Sequence, residues 1–294
     1  MENILDQAVT DFKKLVQSVN IIGVDETHQV SFALIILRLN PNIHHLVIFK
    51  SGTRKPLGVL NKREFVHMFS DAKYLEKTVK VACQETFNLQ DNIEVAEKND
   101  LEQERFVFTD ATWAKVITLI TNPHKRTGQK IDYVLVIDKT KDIHTIITYK
   151  DVLKYLKDQN FSFNIKDINY TPKERLASAI KGKKISDFAS ALSKYRSIPV
   201  FEDENKNKFI GMIFDSSVNT EDYMQNLEVT NSQIMTPLSR FYRCKINEDM
   251  SFLELIDLFI EYPEFTSIPV FTSNDNLIGI MSYIDLLSSI NLTK

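Results

Sequence analysis

Apolar residues recur at i, i+3, i+4 and i+7 in four places along the chain. The sets are Val30, Ala33, Leu34 and Leu37; Trp113, Val116, Ile117 and Ile120; Ile185, Phe188, Ala189 and Leu192; and Phe252, Leu255, Ile256 and Phe259. Each set is one buried face of an amphipathic helix. A short apolar run precedes each helix, at 21–24, 105–108, within 175–180 and at 241–246. Two more follow each helix around a polar turn: 46–49 and 57–60, 134–137 and 144–147, 198–201 and 209–213, 268–271 and 277–281. Runs of this length flanked by turn residues predict strands. A further helix follows the strand pair over 63–81, over 149–156 and from Ser282 onward.

The predicted unit is therefore β-α-β-β-α, and it occurs four times. Its copies are expected at 19–85, 105–158, 175–225 and 226–294, with the third degenerate and its helix short. Residues 86–104 read as an acidic, solvated connection, 159–174 as a second linker, and 219–237 as the lead into the fourth copy. Residues 1–18, with Ile4, Val9, Phe12, Leu15 and Val16, predict a leading helix that docks on the domain or on a partner. The pentapeptide Ser-Ile-Pro-Val-Phe stands at both 197–201 and 267–271, which marks an internal repeat. Asp110 is the expected N-cap of the second-copy helix, and Asn247 with Glu248 and Asp249 that of the fourth.

Composition narrows the function classes. At 294 residues, 43% hydrophobic and 26% charged, the chain is of ordinary globular type. Its net charge of −3 gives no global positive field for nucleic acid or an anionic membrane. The longest apolar run, 31–39, is broken by Arg38 and is too short to span a bilayer. Cys83 and Cys244, far apart in sequence, fit two buried thiols in a reducing compartment, and the start of the chain has neither signal-peptide nor transit-peptide character, so a cytoplasmic location is expected. Phosphate-loop, dinucleotide, nucleophile-elbow and metalloprotease motifs are absent, and the repeats leave no room for a catalytic domain. A non-enzyme without a metal centre is expected. Trp113 and the Phe-rich strands read as core rather than as stacking platforms.

An apolar-Pro-Val strand, a Gly-apolar strand and then Ser/Thr-x-x-Asp resembles the cystathionine β-synthase (CBS) domain, and four copies in tandem resemble the gamma regulatory subunits of AMP-activated protein kinase. The resemblance covers residues 19–290. Its most specific pieces are SIPVF with GIMSYIDLL in the fourth copy, SIPVF with FIGMI in the third, and KIDYVLVID with IITYKDVLKYL in the second. The fold class it implies is α/β (α+β), four tandem CBS repeats paired into two modules forming a flat disk. The ligands it implies are AMP, ADP or ATP in clefts between repeats.

By the same resemblance, the ribose carboxylate is the last residue of Ser/Thr-x-x-Asp. That gives Thr148 with Asp151 in the second copy and Ser282 with Asp285 in the fourth. The first copy has Asn61 and Glu64, and the third has Phe214 and Ser217, which lacks the acid. Phosphate contacts would come from His44, His45 and Arg196, before or at the start of the apolar-Pro-Val strand, and from Lys150. The corresponding positions of the second and fourth copies are Asp132 with Tyr133 and Thr266 with Ser267. Ser/Thr followed three residues later by an acid is also a helix cap, and both readings stand at this point.

The resemblance implies a regulatory subunit that senses adenine nucleotides and acts on protein partners, a kinase catalytic subunit and its scaffold among them. Two other readings remain open. One is a structural scaffold in which nucleotide binding has decayed, and the other is a regulator of a less charged adenosyl ligand such as S-adenosylmethionine.

Overall fold

The four periodic faces form the helices that the pattern demands, and Val30, Ala33 and Leu37 of the first and Ile185, Phe188 and Leu192 of the third are buried. The computed structural model describes residues 4–9, 21–40, 45–61, 72–87, 106–122, 133–163, 168–214, 230–241, 250–262, 265–272 and 274–291. The first helix is α1 (Val30–Leu39), and a second, α2 (Val79–Phe87), packs beside it. The second face is α3 (Trp113–Thr121), and α4 (Tyr149–Asp158) follows the second strand pair. The third face is α5 (Ile185–Tyr195), α6 (Asn231–Ile234) is a single turn, the fourth face is α7 (Phe252–Glu261), and α8 (Tyr283–Asn291) ends the described chain. Trp113, Val116, Ile117 and Ile120 are fully buried, as are Leu255, Ile256 and Phe259. The core reading of Trp113 therefore holds.

The chain divides into two compact units, 1–152 and 153–294. In the first unit, β1 (Gly23–Asp25) runs parallel to β2 (His45–Phe49), which pairs antiparallel with β3 (Pro56–Asn61). The same order recurs in β4 (Phe106–Phe108), β5 (Tyr133–Ile137) and β6 (Ile143–Thr148). Val47 and Val59 of one sheet share an apolar core with Leu135, Ile137, Ile143 and Ile146 of the other. Sheets buried on both faces need near-continuous apolar runs, which is how Tyr133–Ile137 reads.

The second unit adds a strand to the plan. Here β7 (Thr171–Pro172), β8 (Ala179–Ile180), β9 (Ser197–Phe201), β10 (Phe209–Phe214), β11 (Thr236–Pro237), β12 (Ser267–Phe271) and β13 (Leu277–Ser282) make two sheets. One has the order β11-β10-β9-β8 and the other β12-β13-β7. All four hairpins carry a register irregularity at the same place, between the last two pairs before the turn. A shared bulge in four hairpins is a structural mark of the repeat.

Segments between copies are exchanged. Thr171–Pro172, in the lead into the third copy, pairs with β13 of the fourth; Thr236–Pro237, in the lead into the fourth, pairs with β10 of the third. In the first unit, Val9 N–H donates to the Ala111 carbonyl (2.9 Å) at the start of the second-copy helix, and Val79 N–H donates to the His28 carbonyl (2.8 Å) at the start of the first. Gly211 and Gly279 are required by this exchange. A Cβ on Gly279 would lie 2.5 Å from the Thr171 carbonyl oxygen and 2.4 Å from the Tyr170 ring, and one on Gly211 would lie 2.3 Å from the Thr236 carbonyl oxygen.

Several expectations change. The helix expected over 63–81 is not continuous: Ala72–Tyr74 is a 3-10 turn and a separate helix begins at Val79. Its face of Val79, Ala82 and Cys83 completes the first-copy core, which propensity alone could not indicate. The third-copy helix is not short, since α5 runs for 11 residues. The lead into the fourth copy contributes α6 and the edge strand β11, where a plain linker was expected. The N-cap of α3 is Thr112, whose Oγ1 accepts from Lys115 N–H, two residues after the expected Asp110. The N-cap of α7 is Ser251 rather than Asn247: Ser251 Oγ accepts from Glu254 N–H (3.2 Å), and the Glu254 carboxylate accepts from Ser251 N–H (2.7 Å). A capping box satisfies two orphan donors and so overrides the weaker acidic-turn signal upstream. Of the expected leading helix, Ile4–Asp6 is a 3-10 turn, with Leu5 and Val9 buried; residues 10–20 lie outside the described set. So do Cys244, the acidic connection at 91–104, and residues 242–246 of the fourth opening strand.

Candidate functional site

Strand pairing places the candidate residues in equivalent positions. The first residue of the first strand in each hairpin lies opposite the last residue of the second: His45 opposite Asn61, Tyr133 opposite Thr148, Ser197 opposite Phe214 and Ser267 opposite Ser282. Where those strands end, α4 and α8 begin, so Thr148 and Ser282 sit at the junction of a strand and a helix N-terminus. Such a junction offers unpaired backbone N–H groups and the positive end of a helix dipole.

The two Ser/Thr-x-x-Asp sets have the same geometry. Thr148 N–H (2.9 Å) and Oγ1–H (2.7 Å) both donate to Asp151 Oδ2. Ser282 N–H (2.8 Å) and Oγ–H (2.7 Å) both donate to Asp285 Oδ2, and Asp285 N–H donates back to Ser282 Oγ (3.3 Å). The capping reading is thus correct as far as it goes. Yet each cap uses one carboxylate oxygen, and among the described residues no hydrogen bond reaches Oδ1 of either acid. Both acids are half-buried, so that oxygen can accept from a hydroxyl-bearing ligand.

In the second unit the structure brings Arg196 of the third copy to Tyr283 of the fourth. Arg196 caps α5 in the left-handed conformation (φ 60°), and its guanidinium donates to the hydroxyl of the buried Tyr283, with Cζ 5.8 Å from the centre of that ring. Tyr283 stands between Ser282 and Asp285 in sequence. Arg196 therefore reaches the helix turn that carries Ser282 and Asp285, although 86 positions separate Arg196 from Ser282 in the chain. Ser197 Oγ and Ser267 Oγ are 2.6 Å apart and hydrogen-bonded at the same contact between the third and fourth copies.

In the first unit His45 meets Tyr133 edge-on, with ring centres 5.1 Å apart, and Tyr133 lies opposite Thr148. Lys150 holds its Nζ 5.8 Å from the centre of the Tyr149 ring. His45, Thr148, Lys150 and Asp151 thus share one corner of the unit. His44, Glu64 and Ser217 lie outside the described residues. Among the described residues no three His, Cys, Asp or Glu side chains gather as a metal site, and no described helix is long and apolar enough to cross a membrane.

Sequence reasoning missed Tyr283 and the exchanged Thr-Pro segments. A signal was present: TPKER at 171–175 and TPLSR at 236–240 each stand upstream of a Ser-Ile-Pro-Val-Phe strand.

The family model for the CBS domain matches residues 232–292. The C-terminal segment is a CBS domain. No curated protein matches the chain in sequence. Among solved structures, it is similar to a protein of Methanocaldococcus jannaschii described as a proposed archaeal homolog of g-AMPK, at 16% identity and a TM-score of 0.69 over 95% of this chain and 99% of that one. It is also similar to an uncharacterized conserved protein of Pyrococcus horikoshii, at 15% identity and a TM-score of 0.57 over 94% and 97% of the two chains. These likenesses establish the fold, in which the strand-helix plan of the CBS segment recurs through both units.

Proposed function

We propose that the chain is a non-catalytic regulatory subunit that senses adenine nucleotides through its CBS repeats, using Thr148 with Asp151 in one unit and Ser282 with Asp285 in the other. The observation that carries this reading is the half-used carboxylate. Each Asp caps its helix with Oδ2 and presents Oδ1 at a helix N-terminus, where ribose hydroxyls would be accepted and phosphate favoured. Arg196 supplies positive charge in the second unit and Lys150 does so in the first, where His45 adds a ring nitrogen. AMP, ADP or ATP is the ligand class this donor set suits.

The resemblance to gamma subunits makes a kinase catalytic subunit and its scaffold the partners of choice, in the cytosol. Regulation would follow from a ligand that bridges two repeats and so favours one packing that a partner reads. The competing reading is a scaffold with decayed binding. It is favoured by the completeness of the local caps, which give both acids a role without any ligand.

Calorimetric titration with AMP, ADP, ATP and S-adenosylmethionine tests the proposal, beside Asp151→Ala and Asp285→Ala. Adenine-nucleotide heat that each substitution diminishes is expected. A folded protein giving no heat with any nucleotide leaves the scaffold reading, and heat with S-adenosylmethionine alone reassigns the ligand.

A further inference from the structure

The third and fourth copies can be superposed residue by residue from their shared strands. Tyr195 then corresponds to Phe265, Arg196 to Thr266, Phe214 to Ser282 and, through the Thr-Pro segments, Leu176 to Phe241. One of the two equivalent clefts is thus bordered by Ser282, Leu176, Tyr195 and Arg196. Tyr195 is 49% exposed there, and Leu176 is half-buried. The other has Phe214, Phe241 and Phe265 in the matching places, and all three are buried to within 1%.

Those three rings pack on one another. Their centres are 5.2 Å apart for Phe214 and Phe265, 4.8 Å for Phe241 and Phe265, and 6.2 Å for Phe214 and Phe241; Tyr262 stacks on Phe265 at 5.4 Å. Thr266, standing where Arg196 stands in the other copy, has its hydroxyl buried with no hydrogen-bond partner among the described residues.

We propose that Phe214, Phe241 and Phe265 form a built-in aromatic plug that closes the third-copy cleft to ligand, so that the second unit can take up ligand on its Ser282-Asp285 side only. This deepens the nucleotide reading and rests on it for what enters the open side. The plug explains why the third copy carries no acid there: Phe214 fills the place that Ser282 holds in the open cleft, and no carboxylate is needed beside it.

Two arms on the full-length protein test this. In the first, Asp151→Ala protein is dialysed against labelled AMP. One equivalent, abolished by adding Asp285→Ala, is expected. Two equivalents would overturn the plug, whereas none would count against the nucleotide reading and leave the plug to the second arm. That arm uses adenine as probe in the Asp285→Ala background. Phe265→Ala should bind adenine about tenfold or more tightly than its parent, because an apolar cavity of ring size accepts a flat ligand. If Phe265→Ala does not fold, Phe214→Ala serves the same purpose. Adenine affinity unchanged in a folded variant would show that these rings close no cleft.

Discussion

Replacing Asp285 with Asn separates a helix cap from a ligand site. The carboxylate Oδ2 accepts two hydrogen bonds from Ser282, at 2.8 and 2.7 Å, in a half-buried setting at the first turn of α8. An Asn amide keeps one carbonyl oxygen for that cap, so what is lost is the charge and its interaction with the helix dipole. The expected cost is about 1 kcal/mol of stability, in line with N-cap and dipole values. The ligand would lose more, because the second oxygen is replaced by an NH2 that donates where a ribose hydroxyl must also donate. An unmatched polar contact of this kind lowers affinity by about 10- to 100-fold, or roughly 1.4–2.8 kcal/mol. Urea denaturation followed by far-UV circular dichroism measures the first quantity, and equilibrium dialysis with AMP the second. If the variant stays folded and binds AMP within about twofold of wild type, Asp285 is a cap and nothing more.

Other consequences follow from single residues. Gly279→Ala drives a Cβ into the Thr171 carbonyl and the Tyr170 ring, and should cost about 1–3 kcal/mol in chemical denaturation, as overpacking does. Gly52→Ala, at φ +68° in open space, should cost only the left-handed penalty of about 1 kcal/mol. Ser251→Ala removes half of the α7 capping box and should lower stability by about 1 kcal/mol. The Ser251 backbone N–H, and then its side chain, hold the Glu254 carboxyl below its usual range, so the cap's contribution is present above that range and lost as pH falls through the lowered value. An NMR pH titration should show Glu254 ionising below an ordinary Glu. Trp113 is the single tryptophan, fully buried in the first unit, so its emission should be blue-shifted and should report the unfolding of that unit.

Much of this architecture is readable in the sequence because helix faces and buried strands are local patterns. Ile185, Phe188 and Leu192 announce α5 even though the rest of the third copy is irregular. What escaped reading is non-local. A two-residue strand such as Thr171–Pro172 has no period to detect, and its partner, Gly279, lies a full copy away. The same holds for the site: Thr148 with Asp151 and Ser282 with Asp285 are visible as spacings, but the reach of Arg196 to Tyr283 depends on how two copies face each other. Phe214 reads in sequence as a missing hydroxyl. Only its packing against Phe241 and Phe265 turns that absence into a filled cleft. The start of α7 is hidden in the sequence because a reciprocal cap, Ser251 with Glu254, outcompetes an acidic first turn nearby.

Hydrogen–deuterium exchange on the unaltered full-length protein, with and without AMP, ADP or ATP, tests the central claim most directly. Strand-to-helix junctions that bind a nucleotide should gain amide protection on ligand addition. Slower exchange in the peptides spanning 148–151 and 282–285, with no change around Phe214, is the predicted result. Saturating nucleotide that leaves both junctions unprotected, or that protects some other part of the chain instead, would contradict the proposal that these repeats sense nucleotides.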